Sequence, residues 1–177
     1  MFNAAVALGV DVAEVARWAD SLTFCLSKGL SAPMGAILSG TSELIVQARL
    51  YRRMLGSGLR QGGIVAAAGI EALESMPARL AEDHVNAHAL WRELHNAAPQ
   101  LVSLTPPQTN MVLVHSGAAS GKYSALEWLT ALQDLGVRAR LRDDSTVRLV
   151  THRHITSELA VEAAQRILKV AAQSVLR

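Results

Sequence analysis

Apolar and polar positions along the chain follow two rhythms, and the change between them divides it. Asn3 to Leu8 and Asp11 to Trp18 read as helical pieces separated by Gly9. Asp11 is placed to cap the second piece, with Glu14 three residues later as its capping-box partner. Ser21 to Ser27 is a short apolar run between polar residues, which reads as a buried strand. The bend Lys28-Gly29-Leu30-Ser31-Ala32-Pro33 follows, and Met34 to Ser39 reads as a second strand returning from it. Thr41 or Ser42 then caps a helix to about Leu55 whose polar face carries Glu43, Gln47, Arg49, Arg52 and Arg53. After Gly56-Ser57-Gly58, an alanine-rich helix is expected over Ile64–Ser75. Pro77 interrupts the pattern, a long amphipathic helix resumes from Ala78 to about Ala97, and Pro99 marks its end.

Beyond Pro99 the elements shorten. Strands are expected at Leu101–Leu104, Asn110–Val114, Val137–Leu141 and Val147–Val150, with helices near Tyr123–Leu135 and Ser157–Leu176. Gly117 to Gly121 reads as a flexible connector and Arg142-Asp143-Asp144-Ser145 as a turn. Such a stretch makes an α/β or α+β unit with helices on one face of a small sheet. The expected division is therefore 1–76 and 77–177, with the boundary near Ser75–Pro77.

Composition narrows the possibilities without naming an activity. Half of the residues are hydrophobic and only 18% are charged, against roughly 25% in ordinary soluble domains. Extra apolar content without a long apolar run points to buried subunit or domain interfaces. No stretch approaches the ~18 apolar residues of a membrane span, and the opening residues carry no basic region of a secretion signal. Net charge is +2 and aromatics make up 4% of the chain, too sparse for the basic, stacking surfaces of nucleic-acid binders. The lone Cys25 reads as a small core residue, consistent with a reducing cytoplasm. No His or carboxylate pair has convincing metal-ligand spacing.

Lys28 carries the candidate chemistry. It closes an apolar run and precedes Gly29, where the backbone can bend close to a ligand. A lysine leaving a hydrophobic strand is desolvated toward the neutral amine that attacks carbonyls, as in the Schiff-base lysine of pyridoxal phosphate enzymes. The plain alternative is a solvated edge residue.

Several runs lie in a single order along the chain: Phe2 to Gly9, Phe24 to Leu30, Arg53 to Gln61, Leu80 to His84, Gln108 to Val112 and Val147 to His152. Together they resemble the C-terminal half of the low-specificity L-threonine aldolases, fold-type I pyridoxal phosphate enzymes. The resemblance implies the C-terminal part of a large cofactor-binding domain, carrying the Schiff-base lysine, followed by a small α+β domain. It implies pyridoxal 5'-phosphate as cofactor and Lys28 as its attachment point. Arg60 would position the cofactor phosphate or neighbouring groups, and Arg148 would grip the α-carboxylate of a β-hydroxy amino acid. The implied reaction is retro-aldol cleavage of L-threonine or L-allo-threonine to glycine and acetaldehyde, in a cytoplasmic homo-oligomer. Taken alone, Arg60 reads as capping a loop and Arg148 as an exposed strand residue. His84 reads as a helix-surface or interface residue, and His152 as orienting the loop after Arg148.

The chain departs from the family at Ser31, where glycine is usual, and at Arg53, where lysine is expected. In the family, an Asp-Gly-Ala-Arg segment precedes the run that here begins at Phe2. The aspartate for the pyridinium nitrogen, a carboxylate-binding arginine, a stacking histidine and the phosphate loop would all lie upstream. The expectation is thus half an active site, inactive alone. Three readings follow: a C-terminal segment of an aldolase, one subunit of a split enzyme, or a non-catalytic α/β interaction domain.

Overall fold

Short polar side chains set the helix starts. The Asp11 carboxylate accepts from the Ala13 N–H at 2.8 Å, and the Thr41 hydroxyl accepts from the Leu44 N–H at 3.3 Å. Ser124 and Glu127 form a reciprocal capping box. Glu14 instead pairs with Arg17 at 2.7 Å. The computed structural model describes residues 1–117 and 124–176, so most of the expected glycine connector and the expected helix start at Tyr123 lie outside the described residues. The chain forms two compact units, Met1–Leu80 and Ala81–Arg177.

The first unit contains α1 (Phe2–Leu8), α2 (Val12–Ala16), β1 (Leu22–Cys25), β2 (Ala36–Ser39), α3 (Ser42–Met54) and the beginning of α4 (Gly63–Ala97). β1 and β2 pair antiparallel, with Leu22 opposite Ser39 and Cys25 opposite Ala36. The strand expected over Ser21–Ser27 is only four residues long and half-buried, because β2 is its one partner. The buried cluster is small: Leu26, Leu30, Ala32, Ala72 and Met76, with Phe2 and Phe24 edge-on at 5.3 Å. No residue of α3 is buried, and Leu50, Tyr51, Met54 and Leu55 all face solvent.

Pro77 does not end a helix. It lies inside α4, which continues to Ala97. A proline there removes one backbone donor, but Ala72, Met76 and Leu80 are buried at helical spacing on either side of it. That burial holds the turn where the hydrogen bond is missing.

Ser31 adopts φ 60°, a left-handed conformation, which accounts for glycine being usual there. The conformation costs a non-glycine residue roughly 1–2 kcal/mol, and glycine's greater unfolded freedom offsets about 0.5–1. Ser31→Gly should therefore stabilise the chain by about 0.5–1 kcal/mol, read as a higher denaturant midpoint with unchanged slope. A lower midpoint would show that the Ser31 side chain contributes more than its backbone costs.

The second unit contains the remainder of α4, a 3-10 turn (Pro99–Leu101), β3 (Met111–His115), α5 (Ala125–Asp134), β4 (Arg140–Asp143), β5 (Thr146–Val150) and α6 (Ser157–Leu176). Its sheet is antiparallel in the order β3-β5-β4. Alternation along β5 buries Val147 and Leu149 while exposing Arg148 and Val150. The buried face meets Trp128 and Leu132 of α5 and the stripe Ala160, Ala164, Ile167 and Val170 of α6. Asn86 ties α4 to the start of α6, donating to the Ile155 carbonyl and accepting from the Ser157 hydroxyl, each at 2.7 Å.

Two expected strands differ. Leu101–Leu104 is not a strand: Pro99 starts a 3-10 turn, and Leu101 and Val102 drop into the core. β4 begins at Arg140 because Val137 belongs to the end of α5. Gly136 is left-handed, and the Val137 N–H reaches back to the Leu132 carbonyl at 2.8 Å in a Schellman arrangement. Among the described residues, no helix is long and apolar enough to cross a membrane.

Candidate active-site elements around Lys28 and Arg148

β1 ends at Cys25, and the chain turns twice before β2. The Leu26 N–H donates to the Gly35 carbonyl, the Ala32 N–H to the Leu26 carbonyl, and the Ser31 N–H to the Lys28 carbonyl, all within 3.0 Å. This closed turn carries Lys28 on its outside, exposed, and not at a desolvated strand end as its sequence context suggests. Gly29 lies against α4: a Cβ built there would come within 3.0 Å of Leu80 Cδ2. A side chain at that position would require Leu80 or the turn to give by a few tenths of an ångström.

Lys28 lines a hollow of about 250 Å³ whose walls include Phe2, Asn3, Thr23, Phe24 and Cys25. The hollow's lining contains no carboxylate and no arginine. Cys25 is exposed, contrary to a core role. Its sulfur sits 3.1 Å from the Ser27 hydroxyl. That hydroxyl, then the Ser27 backbone, and least the Lys28 charge hold its thiol below the ordinary range, against the opposing effect of burial. The Ser27 hydroxyl thus has Cys25 as its partner.

Arg60 lies in the exposed turn between α3 and α4 and is not part of the Lys28 hollow. Arg148, in the second unit, projects from the exposed face of β5 between Leu113 of β3 and Arg140 of β4, its directly opposed neighbours. It lines a broader hollow of about 850 Å³ together with Arg138 and Arg140. Sequence reasoning passed over those two arginines, although their spacing of two within an expected strand put them on one face. His152 accepts the His154 N–H at 3.4 Å within its turn. Burial holds His84 below the usual histidine range, and the Asp83 charge partly opposes this.

The chain is 39% identical over 171 residues to the low specificity L-threonine aldolase of Escherichia coli K12, covering 93% of this chain and 46% of that protein. It is 37% identical over 162 residues to a probable low-specificity L-threonine aldolase 2 of Arabidopsis thaliana, covering 92% and 45%. The chain thus spans slightly under half the length of these relatives. Among solved structures, a putative L-allo-threonine aldolase from Listeria monocytogenes superposes with TM-score 0.71 at 17% identity, over 98% of this chain and 50% of that one. A putative aromatic amino acid beta-eliminating lyase/threonine aldolase from Exiguobacterium gives 0.72 at 19% identity, over 96% and 50%. At such identities the likeness shows the fold, that of about half a fold-type I pyridoxal phosphate enzyme. The sequence pattern of the Beta-eliminating lyase family matches residues 1–117, and the chain belongs to that family.

Proposed function

We propose that this chain supplies the lysine-bearing half of a pyridoxal phosphate-dependent lyase that cleaves L-threonine or L-allo-threonine to glycine and acetaldehyde. The observation that carries this reading is the Lys28 amine, exposed on the wall of a hollow beside a glycine packed closely against Leu80, in a chain of this family. Residues 1–76 then correspond to part of the large cofactor-binding domain and 77–177 to the small domain. The setting is the cytoplasm, and the apolar residues exposed on α3 support a homo-oligomer.

The residues fit one end of the cofactor. Lys28 offers the primary amine that would hold its aldehyde carbon. Bound there, pyridoxal phosphate supplies an electron sink for the pair released as Cα–Cβ breaks. Arg60 would meet the phosphate, and Arg148 would fix the substrate α-carboxylate through paired guanidinium donors. The Lys28 hollow itself offers neither a carboxylate for the ring nitrogen nor an arginine for the phosphate. That carboxylate must be brought by a longer chain, a separately encoded partner or a second copy, and Arg60 would reach the phosphate from outside the hollow.

Two preparations test the reading: the 177-residue chain alone, and a chimera in which it replaces the matching half of the Escherichia coli relative. Acetaldehyde release from L-threonine with saturating pyridoxal phosphate is expected from the chimera only. A folded chimera without turnover would overturn the aldolase assignment. Turnover by the chain alone near the ~1–10³ s⁻¹ of ordinary enzymes would overturn the claim that the site needs completion.

A further inference from the structure

Arg140 and Arg148 are directly opposed on adjacent antiparallel strands. Directly opposed residues share a face and lie ~4.5–5.5 Å apart at Cα, where like charges destabilise the pair. Arg138, two residues before Arg140, lines the same hollow. Among the described residues, none of these guanidiniums has an ion pair or hydrogen bond to a protein group, and no carboxylate lines the hollow. Arg17 and Arg166, by contrast, each have a glutamate on their own helix. The hollow of about 850 Å³ falls within the ~300–1,000 Å³ of small-molecule sites, and Leu129, Leu141 and Val150 give it apolar walls. Three uncompensated cations in a concave site of that size call for an anionic ligand with more than one acid group.

We infer that Arg140, assisted by Arg138, forms a second anion subsite beside Arg148 and selects β-hydroxy amino acids whose side chain carries its own acid group. The inference rests on the α-carboxylate role proposed for Arg148. One acid group on Arg148 and another on Arg140 relieve the repulsion across the strand pair, and forked donors suit either carboxylate or phosphate. Threonine, with a methyl group in place of the second acid, leaves Arg138 and Arg140 uncompensated.

The test is titration of the isotopically labelled 177-residue chain, observed at the arginine side-chain N–H resonances. The probes are L-threonine, 3-hydroxyaspartate and 4-(phosphonooxy)threonine. At least one diacid is expected to shift Arg140 and Arg148 together and to half-saturate at a concentration at least about tenfold lower than threonine. The tighter of the two diacids identifies carboxylate or phosphate as the group selected. Arg140→Gln should abolish the preference while threonine still shifts Arg148. A substitution at this exposed position leaves the core untouched, and the dispersed spectrum verifies the fold in the same experiment. Equal half-saturation by all three ligands, with Arg148 shifting each time, would overturn the inference and leave the carboxylate role standing. A diacid preference that survives Arg140→Gln and Arg138→Gln together would also overturn it. Shifts at Arg140 with none at Arg148 for any ligand would support the anion subsite while removing the carboxylate role from Arg148.

Discussion

Incubation with pyridoxal phosphate followed by borohydride should add the reduced cofactor's mass to Lys28 and leave Lys169 near background. Both lysines are exposed, so accessibility alone predicts equal labelling. They differ in surroundings. Lys169 lies on the open surface of α6, whereas Lys28 projects beside a hollow walled by Phe2, Phe24, Thr23 and Cys25. Aromatic walls can retain an aldehyde-bearing ring long enough for the amine to condense with it, and Gly29 keeps the turn seated against Leu80. Lys28→Ala should abolish the label at this site and reduce turnover of the chimera to background. Lys28→Arg preserves the positive charge but has no primary amine, and should behave like the alanine variant. Equal labelling of Lys28, Lys122 and Lys169 would mark Lys28 as an ordinary surface amine. Full activity in Lys28→Arg would remove it from the chemistry.

Local signals in the sequence accounted for much of the fold. Asp11 and Thr41 cap their helices because a short polar side chain before an apolar-periodic run has few other uses. β5 was legible from the alternation Val147, Arg148, Leu149, Val150. What misled the reading were apolar residues whose burial is decided by partners distant in sequence. Leu101 and Val102 look like a strand, but Pro99 turns them into a core built from α4, α5 and α6. Val137 looks like a strand start, but the left-handed Gly136 ties it to the end of α5. Pro77 reads as a break until Ala72, Met76 and Leu80 are seen buried along one stripe. Cys25 was expected inside, and Lys28 at a desolvated strand end, because the run Ser21–Ser27 is apolar, yet a two-stranded hairpin has only one covered face. The resemblance to threonine aldolases pointed to Lys28, Arg60 and Arg148 individually. It could not show that Arg148 stands opposite Arg140, since register is a property of paired strands.

Arg148→Lys is expected to lower kcat/KM of the chimera for threonine by about 30- to 150-fold, or about 2–3 kcal/mol, chiefly through a higher KM. A carboxylate meets a guanidinium with two parallel N–H donors in one plane; an ammonium offers a point charge on a more flexible stem. The substitution therefore keeps the attraction and loses the orientation. Loss of orientation also lowers kcat, because the Cα–Cβ bond must be held in one alignment to cleave. The effect should be specific to this position on the sheet. Arg142, exposed on the same strand as Arg140 but outside the hollow, should tolerate the same substitution without kinetic change. Stability should hardly respond in either case, since Arg148 faces solvent while Val147 and Leu149 on either side are buried in the core. An unchanged kcat/KM in Arg148→Lys would remove this residue from substrate binding, and an equal loss in Arg142→Lys, which also keeps its charge, would mean that the effect is not specific to a paired contact at Arg148.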